Sequence, residues 1–300
     1  MRVLSPGLPA PFGSAPQGVD VRVVPAHPPR LPPRGGWLAR NLRHAALASP
    51  WLHEFEGHDV DAIKAVLPAE LEDFRPEVVQ IEHSHLSPLL EALPDGLPTV
   101  LVMHNLTFPM TSTLLGARRP RGAHGRLMET ALVARAERRA IGRATRVVAV
   151  SGHDVWLCQK LQPTAVVREI PNCLPVGYFA CYPRQVSADP TLIFTASFFW
   201  PPNQEAASLL VRRILPMVRR THPTARLLLV GRGMPDDLRA VTDATDACTV
   251  IGEVADTLPY LASAWVSVVP LFSAGGTQLK VLESLAAGLP VVTTARVAGR

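Results

Sequence analysis

The chain has 300 residues, of which 47% are hydrophobic and 18% are charged, and its formal net charge is +5. This length and composition exclude a disordered protein and allow two domains of ordinary size. The longest apolar runs are far shorter than the roughly 20 residues of a membrane-spanning helix, and the N-terminus lacks the apolar run of a signal peptide. The sequence therefore predicts a cytoplasmic protein.

Short apolar runs alternate with helical stretches along the whole chain. The runs that predict strands are, in chain order, MRVL, VDVRVVP, EVVQIEH, PTVLVMHN, RVVAVS, VVREIPN, TLIFTAS, ARLLLVG, CTVIGE, VSVVPLF and LPVVTT. Most are continuous runs of Val, Leu and Ile, the pattern of parallel strands that are buried on both faces. The predicted helices between them include WLARNLRHAAL, RLMETALVARAERRAIGRA and TQLKVLESLAAG. This alternation predicts an α/β fold with doubly wound parallel sheets.

A turn-rich segment between the two halves predicts a domain boundary. Residues 172–190 contain three prolines and have no helical period. We therefore expect an N-terminal domain at residues 1–185 and a C-terminal domain at residues 186–300.

Cysteine spacing bears on the redox state and on metal binding. The four cysteines are Cys158, Cys173, Cys181 and Cys248, and no two of them have the spacing of a CxxC pair. The sequence therefore predicts reduced thiols and no metal site.

Positive charge is concentrated in one segment, residues 118–146. This segment has nine arginines against two glutamates, a net charge of +7. It is read either as a solvated helix face or as a surface that docks on anionic lipid head groups or phosphates. Aromatic side chains are not interleaved with the arginines, which argues against nucleic acid as a partner.

The segment GGTQLKVLESLAAGLPVV combines a glycine pair, a helical pattern and a Gly-Leu-Pro break. Thr277 is the predicted N-cap of the helix, and Gly288 is the predicted glycine at its C-terminal end. Gly275 and Gly276 allow the backbone to approach a ligand closely. The free N–H groups at a helix start favour an anion, such as a phosphate.

The helix in this segment carries one lysine and one glutamate. Its pattern predicts that Leu279, Leu282 and Ala286 face the core, while Lys280 and Glu283 lie on another face. Glu283 lies about six residues into the segment, roughly 9 Å along the helix axis. That distance suits a diphosphate at the glycine loop and a ribose whose hydroxyls donate to the carboxylate. The alternative is a tight turn followed by a solvated Lys280–Glu283 ion pair.

The same segment, extended to GGTQLKVLESLAAGLPVVTT, resembles the donor-site signature of the group 1 glycosyltransferases, which are retaining enzymes that use nucleotide sugars. The stretches VVQIEHSHLSP, TVLVMHNLTF, RVVAVSGHD, VREIPNCLPVGYF, LIFTASFFWPPNQEAA and ARLLLVGRGMP resemble other parts of that family in the same order. The resemblance implies the GT-B fold, in which two Rossmann-like domains face each other across the active site. It also implies transfer of a sugar from a nucleoside diphosphate sugar to a hydroxyl acceptor, without a metal ion or another cofactor.

The resemblance assigns roles to individual residues. The residues implied in donor binding are Gly275, Gly276, Thr277, Lys280, Glu283 and Asn203. His104 is the implied catalytic residue, with a structural histidine as the alternative, and Asn203 has the alternative role of a helix N-cap. His83 and His85 are implied on the acceptor side, although their position beside Glu82 also allows a metal-site interpretation.

The chain also departs from the family pattern. Gly275 stands where the signature often has a glutamate, and Gln278 stands where an arginine commonly precedes the Leu-Lys pair. Compared with the family, the N-terminal domain is short and the C-terminal domain stops before its last elements, so the resemblance implies a truncated member. The alternatives to an active transferase are therefore a catalytically inactive nucleotide-binding remnant and another GT-B enzyme, such as an epimerase.

The family resemblance also sets expectations about pathway and place. It implies glycan or envelope polysaccharide synthesis, with an acceptor that can be linked to a lipid. Together with the basic segment at residues 118–146, this predicts a cytoplasmic protein that contacts the inner membrane face.

Overall fold

The computed structural model describes residues 1–6, 18–24, 60–109, 123–180, 182–273 and 275–299. Every one of the eleven predicted strands forms, and all strand pairs are parallel. The predicted helix WLARNLRHAAL and Cys181 lie outside the described residues. Cys158, Cys173 and Cys248 are free thiols in this structure.

The described residues divide into two units, of which the first ends at Ile170 and the second begins at Pro171. The composition of residues 172–190 predicts this division near residue 185. The linking segment belongs to the second unit because it is bonded to it: the amide of Gln185 donates to the carbonyl of Ala262 over 3.2 Å. Phe179, in the same segment, is buried in an apolar cluster of the second unit.

The first unit contains a two-stranded and a four-stranded sheet. The small sheet pairs β1 (Arg2–Pro6) with β2 (Asp20–Val24). The larger sheet has the order β3-β4-β5-β6 and consists of β3 (Val79–Glu82), β4 (Thr99–Met103), β5 (Arg146–Ala149) and β6 (Val167–Glu169). The central strand β4 is the most deeply buried, because Leu101 and Met103 are fully enclosed.

Helices cover the sheet of the first unit. They are α1 (Val60–Phe74), a 3-10 helix (Ser84–Ala92), α2 (Ala123–Arg143) and α3 (Gly152–Leu161). Ser151 caps α3, because its Oγ accepts from the amide of Asp154. Ile141 of α2 and Cys158 of α3 are buried in the same core as Leu101.

The second unit is built on a five-stranded sheet of order β11-β10-β7-β8-β9. Its strands are β7 (Thr191–Thr195), β8 (Arg226–Val230), β9 (Cys248–Gly252), β10 (Val266–Val269) and β11 (Val291–Thr293). Strand β7 is buried along its whole length and lies at the centre of the sheet, which explains its continuous apolar sequence.

The helices of the second unit are short. They are α4 (Val176–Ala180), α5 (Pro201–Leu209), α6 (Leu215–Arg219), α7 (Asp236–Asp243), α8 (Leu258–Ser263), α9 (Leu279–Ala286) and α10 (Ala295–Ala298). A π-helical turn at Leu210–Ile214 joins α5 to α6. None of the described helices is both long enough and apolar enough to cross a membrane.

Candidate functional site

The order of the second sheet defines where a ligand site is expected. Strand β7 has β8 on one side and β10 on the other, so the chain order reverses at the β7–β10 pair. In open parallel sheets, ligands bind beyond the carboxyl ends of the strands at this reversal. The loops that leave β7 and β10 there contain the WPPN and GGT sequences, respectively.

The loop after β10 makes a tight turn into α9. Gly276 has a φ of +59°, a conformation that glycine adopts more readily than other residues. Gln278, not Thr277, occupies the N-cap position, so the predicted N-cap is wrong by one residue. The helix begins at Leu279, one residue later than predicted, and the Gln278 side chain does not cap it: its Nε2 donates to the carbonyl of Gly275 over 3.0 Å.

The C-terminal end of α9 confirms the prediction for Gly288. This glycine has a φ of +70°, and its amide donates to the carbonyl of Leu285. The amide of Leu289 donates to the carbonyl of Ser284 over 2.9 Å. These two bonds are a Schellman motif, which ends the helix before Pro290.

Lys280 and Asn203, both predicted in donor binding, are brought together. The Nζ of Lys280 donates to the Oδ1 of Asn203 over 2.8 Å and lies 4.7 Å from the centroid of the Phe194 ring. The Nδ2 of Asn203 donates in turn to the carbonyl of Ser197 over 2.7 Å. Asn203 is not the N-cap of α5, because that position belongs to Trp200.

The surroundings of Lys280 change its acidity. Burial lowers the pKa of its ammonium to about 7, although the nearby carboxylate of Glu283 favours the charged form. Burial also raises the pKa of Glu283, which lies one turn further along α9, and the charge of Lys280 opposes that rise. Lys280 is therefore an amine that can change its charge near neutral pH when an anion arrives.

The buried face of α9 differs from the predicted one. Leu279, predicted to face the core, is 43% exposed, whereas Ser284 and Ala287 are buried. The buried polar groups of this face have partners within the unit, because the Ser284 hydroxyl donates to the carbonyl of Lys280 and the lysine bonds Asn203. Lys280 itself is half-buried, and its ammonium is bonded within the unit rather than held only by solvent.

Glycines hold the loops after β7 and β8 in close contact. Gly231 has a φ of +139°, and a Cβ added there would lie 1.8 Å from the carbonyl oxygen of Ala196. The Phe199 ring lies against Gly233, where an added Cβ would come within 2.6 Å of it. These backbone approaches require the glycines of the VGRG sequence.

Phe199 and Arg232 are candidate site residues that sequence reasoning missed. The Phe199 side chain is 65% exposed, and the guanidinium of Arg232 lies 6.0 Å from its ring centroid. Arg232 also lies 3.6 Å from the carboxylate of Glu253, which follows β9. The signal that could have found Phe199 is the run of three aromatic residues, Phe198 to Trp200, between a strand end and a proline pair, whereas no such signal marks Arg232.

In the first unit, the three predicted histidines come together at the ends of β3 and β4. The ring centroid of His83 lies 4.2 Å from that of His104 and 5.2 Å from that of His85. The Nε2 of His104 lies 2.7 Å from the Oε2 of Glu82. Because β3 and β4 are neighbouring parallel strands, residues that follow them meet at the same edge of the sheet. Among the described residues, no group of three or more His, Cys, Asp or Glu side chains is placed to hold a metal ion.

The basic segment is partly engaged within the first unit. The structure describes the side chains of five of its arginines: Arg135, Arg138, Arg139, Arg143 and Arg146. Arg143 donates to the carbonyl of Leu90, and Arg139 lies 3.5 Å from the carboxylate of Glu91. The other four arginines lie outside the described side chains. One of the two glutamates in the segment, Glu137, is buried and does not contribute to a charged surface.

Two family models match the chain. The model described as glycosyltransferase family 4 matches residues 13–178, and the model described as glycosyl transferases group 1 matches residues 189–300. A search of curated proteins found no significant match.

Solved structures share the fold at low sequence identity. Sucrose-phosphate synthase from Thermosynechococcus elongatus has a TM-score of 0.63 and 18% identity, over 92% of this chain and 65% of that chain. WaaG, a glycosyltransferase involved in lipopolysaccharide biosynthesis, has a TM-score of 0.61 and 17% identity, over 96% of this chain and 73% of that chain. Anabaena Alr3699/HepE has a TM-score of 0.57 and 14% identity, over 92% of this chain and 67% of that chain.

The chain thus spans less than two thirds of the sucrose-phosphate synthase. The three solved structures share the α/β fold of this chain. The chain belongs to the group 1, family 4 glycosyltransferases and has the GT-B fold, with two Rossmann-like domains.

Proposed function

We propose that this chain binds a nucleoside diphosphate sugar in its second unit and transfers the sugar, with retention, to a hydroxyl acceptor. The observation that carries the proposal is the bond between Lys280 and Asn203 at the chain reversal of the second sheet. It brings an amine to the position where a parallel sheet binds phosphate, beside a glycine turn and a helix start.

The reaction explains why these groups are needed. As the sugar leaves, negative charge grows on the β-phosphate, so the site must present positive charge and N–H dipoles to it. The amides of Gly275, Gly276 and Thr277 and the ammonium of Lys280 supply both. A ribose beside Glu283 donates its hydroxyls to the carboxylate, which anchors the nucleoside about two turns from the phosphates.

The histidines of the first unit are the proposed acceptor side. The carboxylate of Glu82 orients the imidazole of His104 through the bond at Nε2. An oriented imidazole can hydrogen-bond the transferred sugar or take the proton of the acceptor hydroxyl. His85 stacks on His83, whose ring lies beside that of His104, and together these two residues are the proposed wall against which the acceptor packs.

We also propose a lipid-linked acceptor and peripheral contact with anionic lipid at the cytoplasmic membrane face. The support is the excess of arginine in residues 118–146. The five described arginines of this segment are exposed. Arg138 and Arg143 bond neutral amide and carbonyl groups, which leaves their positive charge in place, whereas Arg139 is paired with the carboxylate of Glu91. Exposed guanidinium groups attract anionic head groups over about a Debye length.

Calorimetry with uridine diphosphate, followed by a transfer assay, tests the proposal. HepE was solved with UDP and glucose, so UDP and UDP-glucose are the first probes. We expect UDP to bind, and Lys280→Met, which keeps the length of the side chain and removes the charge, to weaken binding by about tenfold to 100-fold. Arg226→Met, a matched change on the exposed start of β8, should leave it unchanged. Wild-type protein that binds neither UDP nor guanosine diphosphate would refute the proposal.

One observation favours a second function, a nucleotide-binding protein without turnover. Gln278 stands where the family commonly has an arginine, and its side chain is bonded to the carbonyl of Gly275. A neutral side chain held in this way contributes no positive charge to the leaving phosphate. UDP binding without release of UDP from UDP-glucose, across a panel of sugar acceptors, would support this second function.

A further inference from the structure

A buried carboxylate lies beneath the loop that carries His104. Glu137 of α2 is 1% exposed. Its Oε1 accepts from the amide of Thr107 over 2.6 Å, and its Oε2 accepts from the amide of Phe108 over 3.2 Å. These two amides follow His104 by three and four residues, so one side chain of α2 holds both of them at the end of β4.

The position of Glu137 on α2 is otherwise apolar. Val133 and Ile141 lie one turn before and one turn after it, and each is 1% exposed. Burial of an ionisable carboxyl group opposes folding, and burial of an apolar residue of similar size at this position would cost less free energy. The bonds to the loop are therefore the reason for a carboxylate here, because without it the amides of Thr107 and Phe108 would lose their acceptor.

The titratable groups that face Glu137 are Asp154 and Cys158, both on α3. Burial raises the pKa of Glu137 to about 7. The hydrogen bonds from the amides of Thr107 and Phe108 and from the Thr107 side chain oppose that rise, and the charge of Asp154 adds to it. The Cys158 thiol also faces this group, and burial raises its pKa to about 12, so it stays neutral. Protonation of Glu137 would replace one of its two acceptor oxygens by a hydroxyl and loosen one of the two bonds.

We propose that Glu137 is a positioning residue: it fixes the loop at residues 104–108 and thereby sets the orientation of His104 on the acceptor side. The catalytic part of this inference rests on the proposed function. The positioning itself does not, since it concerns the backbone of the first unit alone. Glu137 touches neither donor nor acceptor, and it acts through the two amides that it binds.

Amide hydrogen exchange of full-length Glu137→Gln and Glu137→Ala, compared with Glu91→Gln, tests the positioning. Glu91 is an exposed carboxylate of the 3-10 helix, and it is paired with Arg139 of α2. Its replacement repeats the chemical change without touching the loop. We expect exchange of the Thr107 and Phe108 amides to accelerate about tenfold in Glu137→Gln, which keeps one acceptor, and about 100-fold in Glu137→Ala. Exchange of β4 amides should stay as in the wild type, and Glu91→Gln should change neither.

Kinetics supply the second measurement. With UDP-glucose as donor, Glu137→Gln should raise the KM for the acceptor about tenfold and leave the Kd for UDP unchanged. Unaltered loop exchange in Glu137→Ala would overturn the proposal. Equal acceleration in the loop and in β4 would also overturn it, since it would mean that Glu137 supports the core as a whole. If the wild type proves to have no transferase activity, the proposed function fails, while the exchange comparison still decides the positioning.

Discussion

The ammonium of Lys280 donates to the amide oxygen of Asn203, a residue 77 positions earlier in the chain. This bond joins the start of α9 to the first turn of α5, and it therefore links the two loops that leave the sheet at its chain reversal. Asn203 is in turn tied to the carbonyl of Ser197. A ligand that draws the ammonium toward its own phosphates must compete with a neutral amide, which is a weaker acceptor than a phosphate oxygen.

The pKa of Lys280 predicts how nucleotide affinity depends on pH. In the free protein this pKa is about 7 because the amine is buried. A bound diphosphate favours the charged amine and raises the pKa, so binding takes up a proton at every pH between the free and bound values. UDP affinity should be highest below about pH 7 and should fall above it by up to about tenfold per pH unit. Calorimetry in buffers of different ionisation enthalpy measures this proton uptake.

Asn203 provides the matched control for this pH dependence. Asn203→Asp places a carboxylate beside the ammonium, which raises the pKa of Lys280 in the free protein. The pH at which affinity begins to fall should then move upward by about one unit or more. Asn203→Leu removes the acceptor, and the pH at which affinity begins to fall should then move downward. An identical pH profile in all three proteins would mean that Lys280 does not govern the titration.

Glu283 should determine the binding of the nucleoside. It follows Lys280 by one turn of α9, and burial raises its pKa, so its carboxylate gains from hydroxyl donors. Glu283→Gln should weaken UDP binding by about 1–3 kcal/mol, the range for a hydrogen bond to a charged group. The affinity for inorganic diphosphate, which has no ribose, should change less than that for UDP, because only the effect of Glu283 on the charge of Lys280 remains. Unchanged UDP affinity by calorimetry in a folded protein would rule out this role.

Gly231 is predicted to tolerate no side chain. An added Cβ would lie 1.8 Å from the carbonyl oxygen of Ala196, which is backbone and cannot rotate away. Gly231→Ala should lower the free energy of unfolding by more than about 3 kcal/mol. Gly252→Ala is the control, since Gly252 also has a positive φ but has no atom within 4 Å of an added Cβ. Gly252→Ala should lower the free energy of unfolding by about 1–2 kcal/mol. Equal losses in urea denaturation would contradict the prediction.

The basic segment should bind anionic lipid. Wild-type protein should sediment with vesicles of phosphatidylglycerol and phosphatidylcholine, and binding should decrease with salt because exposed charges are screened. Arg138→Gln/Arg139→Gln should reduce this binding. Arg212→Gln/Arg213→Gln, which removes the same charge from exposed positions of the second unit, should not. Equal binding to pure phosphatidylcholine vesicles would leave a solvated helix face as the explanation.

The strands could be predicted because parallel strands that are buried on both faces are continuous apolar runs in the sequence. TLIFT and RLLLV, for example, are continuous apolar runs, and both are central strands of the second sheet. The division between the units could not be located in the same way. The segment that follows Pro171 looks like a linker in its composition, yet backbone bonds such as that from Gln185 to Ala262 attach it to the second unit.

The sequence predicts the candidate-site residues that follow strand ends. It predicts less well the burial of residues whose hydrogen-bond partners are distant in the chain. The meeting of His83 and His104 follows from neighbouring strands. Hydrophobic periodicity does not predict the buried side of α9, because it treats lysine as a solvent-facing residue. Lys280 is half-buried, and Asn203, which is distant in sequence, accepts from it. Glu137 was counted as surface charge for the same reason, since its amide partners lie 29 and 30 residues away.

The separation between Asn203 and Lys280 has a consequence for how the protein reaches its native state. Their bond can form only after β10 has been placed beside β7, which is a contact between distant parts of the chain. Parallel sheets of this kind close long loops before their contacts stabilise them, and they fold slowly as a result. During synthesis, the asparagine leaves the ribosome several seconds before the lysine, at about 5–20 residues per second. Until then, the loop that we propose to bind phosphate lacks the amine of Lys280.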